Sequence, residues 1–205
     1  MEIITRPSAM GKSLRMLKKD RGDAILETVK WILHSEAVLG SGTGSGNQNL
    51  TFFRSSSGTN DRQTNLKTDG QLAKPNEFFL YGITVFCPNG ADVADIANLF
   101  NFGVLRFKIS GKEYVNARLH YVPPGGGIQG YGYADSVGSP TTRDFVTNGV
   151  PLPNTYYNVS VMKKPLHIVD QESFEASIDV IGGGDFNTAM PVTYGLHGIL
   201  ARPTV

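Results

Sequence analysis

Cysteine occurs once in this chain, at Cys87, so neither an intramolecular disulfide framework nor a cysteine-based metal centre can be built from it. Lying in an apolar run, the thiol is expected as a small core residue. No apolar run reaches the roughly 18 residues of a membrane-crossing helix. The opening residues carry no apolar h-region, so a secretory signal is not expected. Histidine is scarce: His34, His120, His167 and His197 stand far apart. No His-x-His or His-Glu-x-x-His spacing occurs among them. A Gly-x-Ser-x-Gly nucleophile elbow is missing as well. These gaps leave no catalytic residue, no metal ligand and no cofactor to assign, and an enzyme is not expected.

Charge of one sign is also lacking overall, at a net +1, but it is unevenly spread. Residues 1–21 hold six basic groups (Arg6, Lys12, Arg15, Lys18, Lys19 and Arg21) against Glu2 and Asp20, a net +4. The remainder holds 13 basic and 16 acidic groups, a net −3. Residues 1–22 therefore read as a basic N-terminal arm on a slightly acidic body, 23–205, of one domain. Met10, Leu14 and Leu17 would share one face of a short helix, while a flexible terminal segment suits the composition equally. In either form, charges at this density belong outside a core.

What is abundant is glycine and proline, 24 and 11 residues, with an ordinary apolar fraction of 40%. That mixture fits many strands joined by turn-rich connections better than a helix bundle. The clearest stretch runs from Asn76 to Val122. Asn76–Cys87 is aromatic and β-branched, as a largely buried strand requires. Apolar residues at 93, 96, 97 and 100 have helical spacing, and Asp92 can cap that helix over Asp92–Phe100. Asp92 and Asp95 then serve the helix N-terminus and not catalysis. Gly103–Ile109 and Glu113–Val122 flank Ser110-Gly111-Lys112, a hairpin in which Gly111 is expected at positive φ.

Ala24–Leu39 fits a helical stripe through Ile25, Leu26, Val29, Ile32 and Leu33. It also fits a strand with Ile25, Val29, Trp31, Leu33, Ala37 and Leu39 on one face. The strand-rich surroundings favour the strand. Gly40–Gly46 reads as a mobile loop, lacking the Lys-Ser/Thr pair and helix of a phosphate loop. Asn49–Phe53 is a short strand, and Ser55–Lys74 an exposed loop. Pro123–Asn154 is a second long loop, with a strand near Arg143–Thr147. Strands are expected at Tyr156–Met162, Ser173–Ile181 and Thr193–Ala201, the second with Phe174, Ala176, Ile178 and Val180 turned inward. Asp170 and Glu172 fall in a turn, where carboxylates are usually solvated. The aromatic-glycine loop Gly127–Tyr133 could stack on a sugar or base through Tyr131 and Tyr133, or pack on a neighbouring subunit.

The expected architecture is all-β: an antiparallel eight-stranded jelly-roll β-sandwich with one short helix in a connection. Its residues resemble the jelly-roll major capsid proteins of tail-less icosahedral bacteriophages, including membrane-containing ones. The likeness rests on Gly70–Ile83 leading into a strand, the helix Asp92–Phe100, and Gly103–Ile109. Leu119–Gly127 and the closing Gly195–Pro203 complete it. With room for one barrel, the chain is similar to single-barrel coat proteins. The resemblance implies a structural protein that assembles with copies of itself into capsomers and a shell, in the virion after synthesis in the host cytoplasm. It further implies that the arm faces the viral genome or an internal membrane, and that minor capsid proteins are partners. The alternative is a carbohydrate- or receptor-binding module, spike- or lectin-like, with Tyr131, Tyr133, Tyr156 and Tyr157 as platform. A jelly-roll metalloenzyme using His120, His167 or His197 is the third class.

Overall fold

Alternation of inward and outward side chains builds most of this fold. The computed structural model describes residues 3–7, 13–17, 24–54, 60–87, 92–122, 128–134, 143–148 and 165–203. For residues before 27, for Val93 and for 128–148, only the backbone is described. One sheet has the strand order β1 (Ile3–Pro7), β2 (Ser13–Leu17), β3 (Ala24–Leu39), β12 (Met190–Pro203), β5 (Glu77–Phe86) and β10 (Leu166–Ile168). The other has the order β4 (Gln48–Phe52), β11 (Phe174–Val180), β6 (Gly103–Ile109) and β7 (Lys112–Arg118). A separate two-stranded ribbon pairs β8 (Ile128–Ala134) with β9 (Arg143–Asn148). The chain is thus mostly β, with every pairing antiparallel and one α-helix, α1 (Val93–Phe102), among the described residues.

Four strands of each sheet pair in a nested way: β3 with β12, β4 with β11, β5 with β10, and β6 with β7. Between the two sheets lies one apolar core. Leu33, Phe78, Ile83 and Leu196 enter it from the first, and Leu50, Phe52, Leu105, Phe107 and Ile178 from the second. Each such side chain stabilises the fold by about 1.5–3 kcal/mol when fully buried. Tyr194 sits at the centre, its ring 5.2 Å from that of Phe52, and burial raises its phenol pKa well above the ordinary value. Cys87 is a buried core residue, as its context implies.

Ala24–Leu39 is a strand, with Leu33, Ser35 and Leu39 inward and Ile32 and Val38 outward. The helix is capped by Asp92, whose carboxylate accepts from the Ala94 N–H at 2.8 Å. The β6–β7 turn has positive φ at both Ser110 (49°) and Gly111 (77°). Both central residues at positive φ make the tight turn that matches strand twist.

Several expectations are corrected. The first sheet begins at Ile3, inside the stretch read as a free arm, because β1 and β2 form a hairpin that pairs with β3. Leu14 and Met16 alternate with Arg15 at a strand's period of two, which competes with the helical spacing of Met10, Leu14 and Leu17. Pairing also covers an open edge of the long strand β3. Further along that edge, segment 63–65 takes over: Glu36 donates to the Gln63 carbonyl at 2.7 Å and Asn65 to that of His34 at 3.4 Å. Residues 60–74 are therefore not a plain exposed loop, since they bury Thr64, Leu66 and Leu72, while residues 55–59 of that expected loop lie outside the described residues.

The second hairpin strand ends at Arg118 and not Val122. Leu119–Tyr121 forms a single 3₁₀ turn that buries Leu119 and Val122, three apart as a turn requires. Residues 128–133 are not loop but part of strand β8, and the expected strand near Arg143–Thr147 is its partner β9, while Gly127 lies outside the described residues. Tyr156–Met162 lies outside the described residues, and the place beside β5 is filled by the three-residue β10.

Candidate functional site

The four-stranded sheet presents a polar outer face, and its period-two pattern explains why. Strand β6 sends Leu105, Phe107 and Ile109 inward, leaving Arg106 and Lys108 outside. Strand β11 buries Phe174, Ala176, Ile178 and Val180 and turns Glu175, Ser177 and Asp179 outward. Antiparallel pairing brings these together: Glu175 lies opposite Lys108, Ser177 opposite Arg106, and Thr51 opposite Ser177.

A chain of polar contacts crosses all four strands. The Asn49 amide donates to Asp179, whose other oxygen lies 2.7 Å from Arg106 Nε. Arg106 Nη1 reaches Glu113 Oε1 at 3.3 Å, and Asn116 Nδ2 donates to Glu113 Oε2 at 3.1 Å. These side chains are partly exposed, so each ion pair contributes at most about 1 kcal/mol. Their effect is to fix side-chain positions more than to hold the sheet. Beside this network is a depression of about 230 Å³, lined on its far side by Arg54, Lys108, Glu175, Thr51 and Ser177. Its lining combines the cations Arg54, Arg106 and Lys108 with the carboxylates Glu175 and Asp179. Such a lining offers charges of both signs and hydrogen-bonding groups.

Opposite in character is one end of the molecule, where α1 grips the 182–188 loop with residues spaced by three. Asp92 accepts from Asn187 Nδ2 at 3.1 Å, and the buried Asp95 accepts from the Asn187 and Thr188 N–H groups, both at 2.8 Å. Asn98 exchanges hydrogen bonds with Gly184 through both atoms of its amide. The acidic pair thus caps the helix and also binds a loop distant in sequence. The Gly40–Gly46 segment, mobile by composition, is held to the same loop. Asp185 accepts from the Gly44 N–H at 2.9 Å, and Ser45 Oγ accepts from the Phe186 N–H at 2.7 Å. Glu172 is likewise engaged, accepting from Ser110 Oγ at 2.8 Å, and is not merely solvated.

The histidines do not converge. His34 Nε2 lies 3.0 Å from the Asp61 carbonyl, and the exposed His120 ring lies 4.2 Å from that of Tyr121, tilted by 52°. His167 lies against the Phe79 ring with centroids 4.4 Å apart, its Nε2 2.9 Å from the buried Glu77 carboxylate. His197 meets Thr84 Oγ1 at 2.8 Å, and burial lowers its pKa. Among the described residues, no three of His, Cys, Asp and Glu come together as a metal set.

Of the basic residues singled out, Arg6 lies on β1 opposite Leu14, and Arg15 on β2 opposite Thr5. Lys12, Lys18, Lys19 and Arg21 lie outside the described residues. Tyr131 and Tyr133 are on β8, at register positions opposite Val146 and Asp144, while Tyr156 and Tyr157 are outside the described residues. Sequence reasoning passed over Arg54, Arg106, Lys108, Glu175 and Asp179. A signal existed, since cations alternate outward on one strand and carboxylates on another, but their adjacency depends on strand order. No helix among the described residues is long and apolar enough to cross a membrane. No protein-family model matches the chain, and no curated protein shows significant similarity to it.

Proposed function

We propose that this chain is a jelly-roll coat protein that assembles with copies of itself into an icosahedral viral shell. The observation that carries this reading is the nested pairing of eight strands. First pairs with last (β3–β12), second with seventh (β4–β11), third with sixth (β5–β10), and the middle two with each other (β6–β7). Such nesting is what results when one long antiparallel hairpin is rolled into two sheets, and jelly rolls recur in viral capsids and lectins. Two further features favour a structural role. One end is tied into a stiff cap by Asp92, Asp95, Asn98 and Asp185, which suits a building block. The net +4 of residues 1–21 suits an inner surface facing nucleic acid or anionic headgroups.

Negative-stain microscopy of the concentrated full-length protein tests the reading, with shells or regular capsomers expected. Isolated particles under all conditions, together with specific binding on a glycan array, would replace it with the carbohydrate-binding alternative.

A further inference from the structure

We propose that the outer face of the four-stranded sheet is a two-fold contact between copies of this chain, centred between Glu175 and Lys108. The inference rests on the assembly reading and adds the surface through which copies meet.

Glu175 on β11 and Lys108 on β6 are directly opposite in register, yet among the described residues neither has an ion-pair partner. Arg54 shares the depression with Glu175, and like them has no partner there. Its placement follows from the backbone. Phe53 takes a φ of 59°, uncommon for a bulky residue, which puts Phe52 and Phe53 both into the core. The Phe53 N–H donates to Ser35 Oγ, and its carbonyl accepts from the Gly70 N–H, each at 2.8 Å. Arg54 then emerges at the depression. On the other side of Lys108, on β7, stands Glu113.

Read across the sheet, the charges alternate: Arg54, Glu175, Lys108, Glu113. A two-fold axis lying in the plane of the contact, parallel to the strands and passing above the midpoint of the middle two, brings a second copy face to face and reverses this row onto itself. Glu175 then faces Lys108 of the second copy, Lys108 faces its Glu175, and Arg54 and Glu113 face each other at both ends. Every cation meets a carboxylate, the self-complementarity that an isologous contact requires. Strands lie about 4.8 Å apart, so side chains of this length span the row. The depression of about 230 Å³ beside Glu175 has room for the incoming lysine head. Such a contact is wet and orients the copies more than it binds them, and salt weakens it.

The experiment is sedimentation equilibrium on the full chain, comparing wild type, Lys108→Glu, Glu175→Lys and the double reversal, with melting curves for folding. Both side chains project from the outer face, and because each single reversal sets like charges opposite each other within the sheet, the melting curves confirm that every variant is folded under the conditions compared. Each single reversal should weaken association at least about tenfold, because the axis repeats every like-charge clash, and the double reversal should recover most of it. Association of wild type should also fall steeply with added sodium chloride, a readout that needs no variant. Equal association of all four proteins overturns the contact, and shells still visible in those samples would leave the assembly reading standing. Inorganic phosphate bound more tightly by Glu175→Lys, with association unchanged, also overturns it and makes the face an anion site. Absence of both association and shells removes the contact and the assembly reading together.

Discussion

Gly46 and Gly183 meet backbone to backbone: the Gly183 N–H donates to the Gly46 carbonyl at 3.1 Å. A Cβ placed on Gly46 would run into the Gly183 carbonyl oxygen, which is main chain and cannot swing aside. Gly46→Ala must therefore separate the 40–47 and 182–188 connections. The expected cost is about 1–3 kcal/mol, as for overpacking elsewhere. For a chain of this size that is a melting temperature lower by about 2–12 °C. An unchanged melting curve would mean that the two loops are not in contact.

Asp95 should be the most sensitive residue of α1. Its carboxylate accepts from two main-chain N–H groups, those of Asn187 and Thr188. Asp95→Ala removes both acceptors while leaving Asp92 to cap the helix. A loss of about 1–3 kcal/mol is expected, because hydrogen bonds to a charged group are worth more than neutral ones. Chemical denaturation with unchanged m-value checks it, and a midpoint equal to wild type would contradict the clamp.

Gly111 tests the hairpin. Its φ of 77° is the left-handed region, and a Cβ there would meet open space, so any penalty comes from the backbone alone. Gly111→Val should cost about 1–2 kcal/mol, and Gly111→Asn clearly less. Equal melting temperatures for the two variants would place the turn elsewhere.

The legible parts of this fold are those where a side-chain period is long and unbroken. Phe174, Ala176, Ile178 and Val180 mark β11 unambiguously, and Leu105, Phe107 and Ile109 do so for β6. The helix is announced by its spacing at 93, 96, 97 and 100 and by its Asp92 cap. Where periods compete, tertiary pairing decides: residues 13–17 pair with β3, although Met10, Leu14 and Leu17 suit a helix. Strand β10 has three residues, too few for any period. The polar face was hidden for another reason. Asn49 and Asp179 touch although they are 130 residues apart, and only the strand order brings them together. Composition misled at Gly40–Gly46, because glycine N–H groups that suit a mobile loop also suit the carboxylate of Asp185.

Cys87 should be chemically silent in the native protein. Burial pushes its thiol pKa from 9.0 up to about 12, so almost no thiolate exists near neutral pH. The thiolate is the reactive species, and the site is closed to reagents as well. An aromatic disulfide reagent should leave the native protein unlabelled and take up one equivalent after denaturation. Rapid labelling of the folded protein would show that the end of β5 opens readily.

The pH dependence of stability should carry a contribution from His197. Burial disfavours the imidazolium, so the folded-state pKa lies below the ordinary 6.5. On acidification through 6.5 the unfolded chain takes up a proton that the folded imidazole, beside Thr84 Oγ1, resists. Stability rises with pH wherever the unfolded state binds more protons. The contribution is therefore complete above 6.5 and is lost as pH falls from there toward the lower, folded value. His197→Gln keeps a polar group near Thr84 but cannot titrate. Urea midpoints measured at about pH 7.5 and about pH 5 should fall further for wild type than for His197→Gln. All other ionisable groups are common to the two proteins and cancel in the comparison. An equal fall in the two proteins would mean that the His197 imidazole is as well solvated folded as unfolded, and its place between β12 and β5 would have to be redrawn.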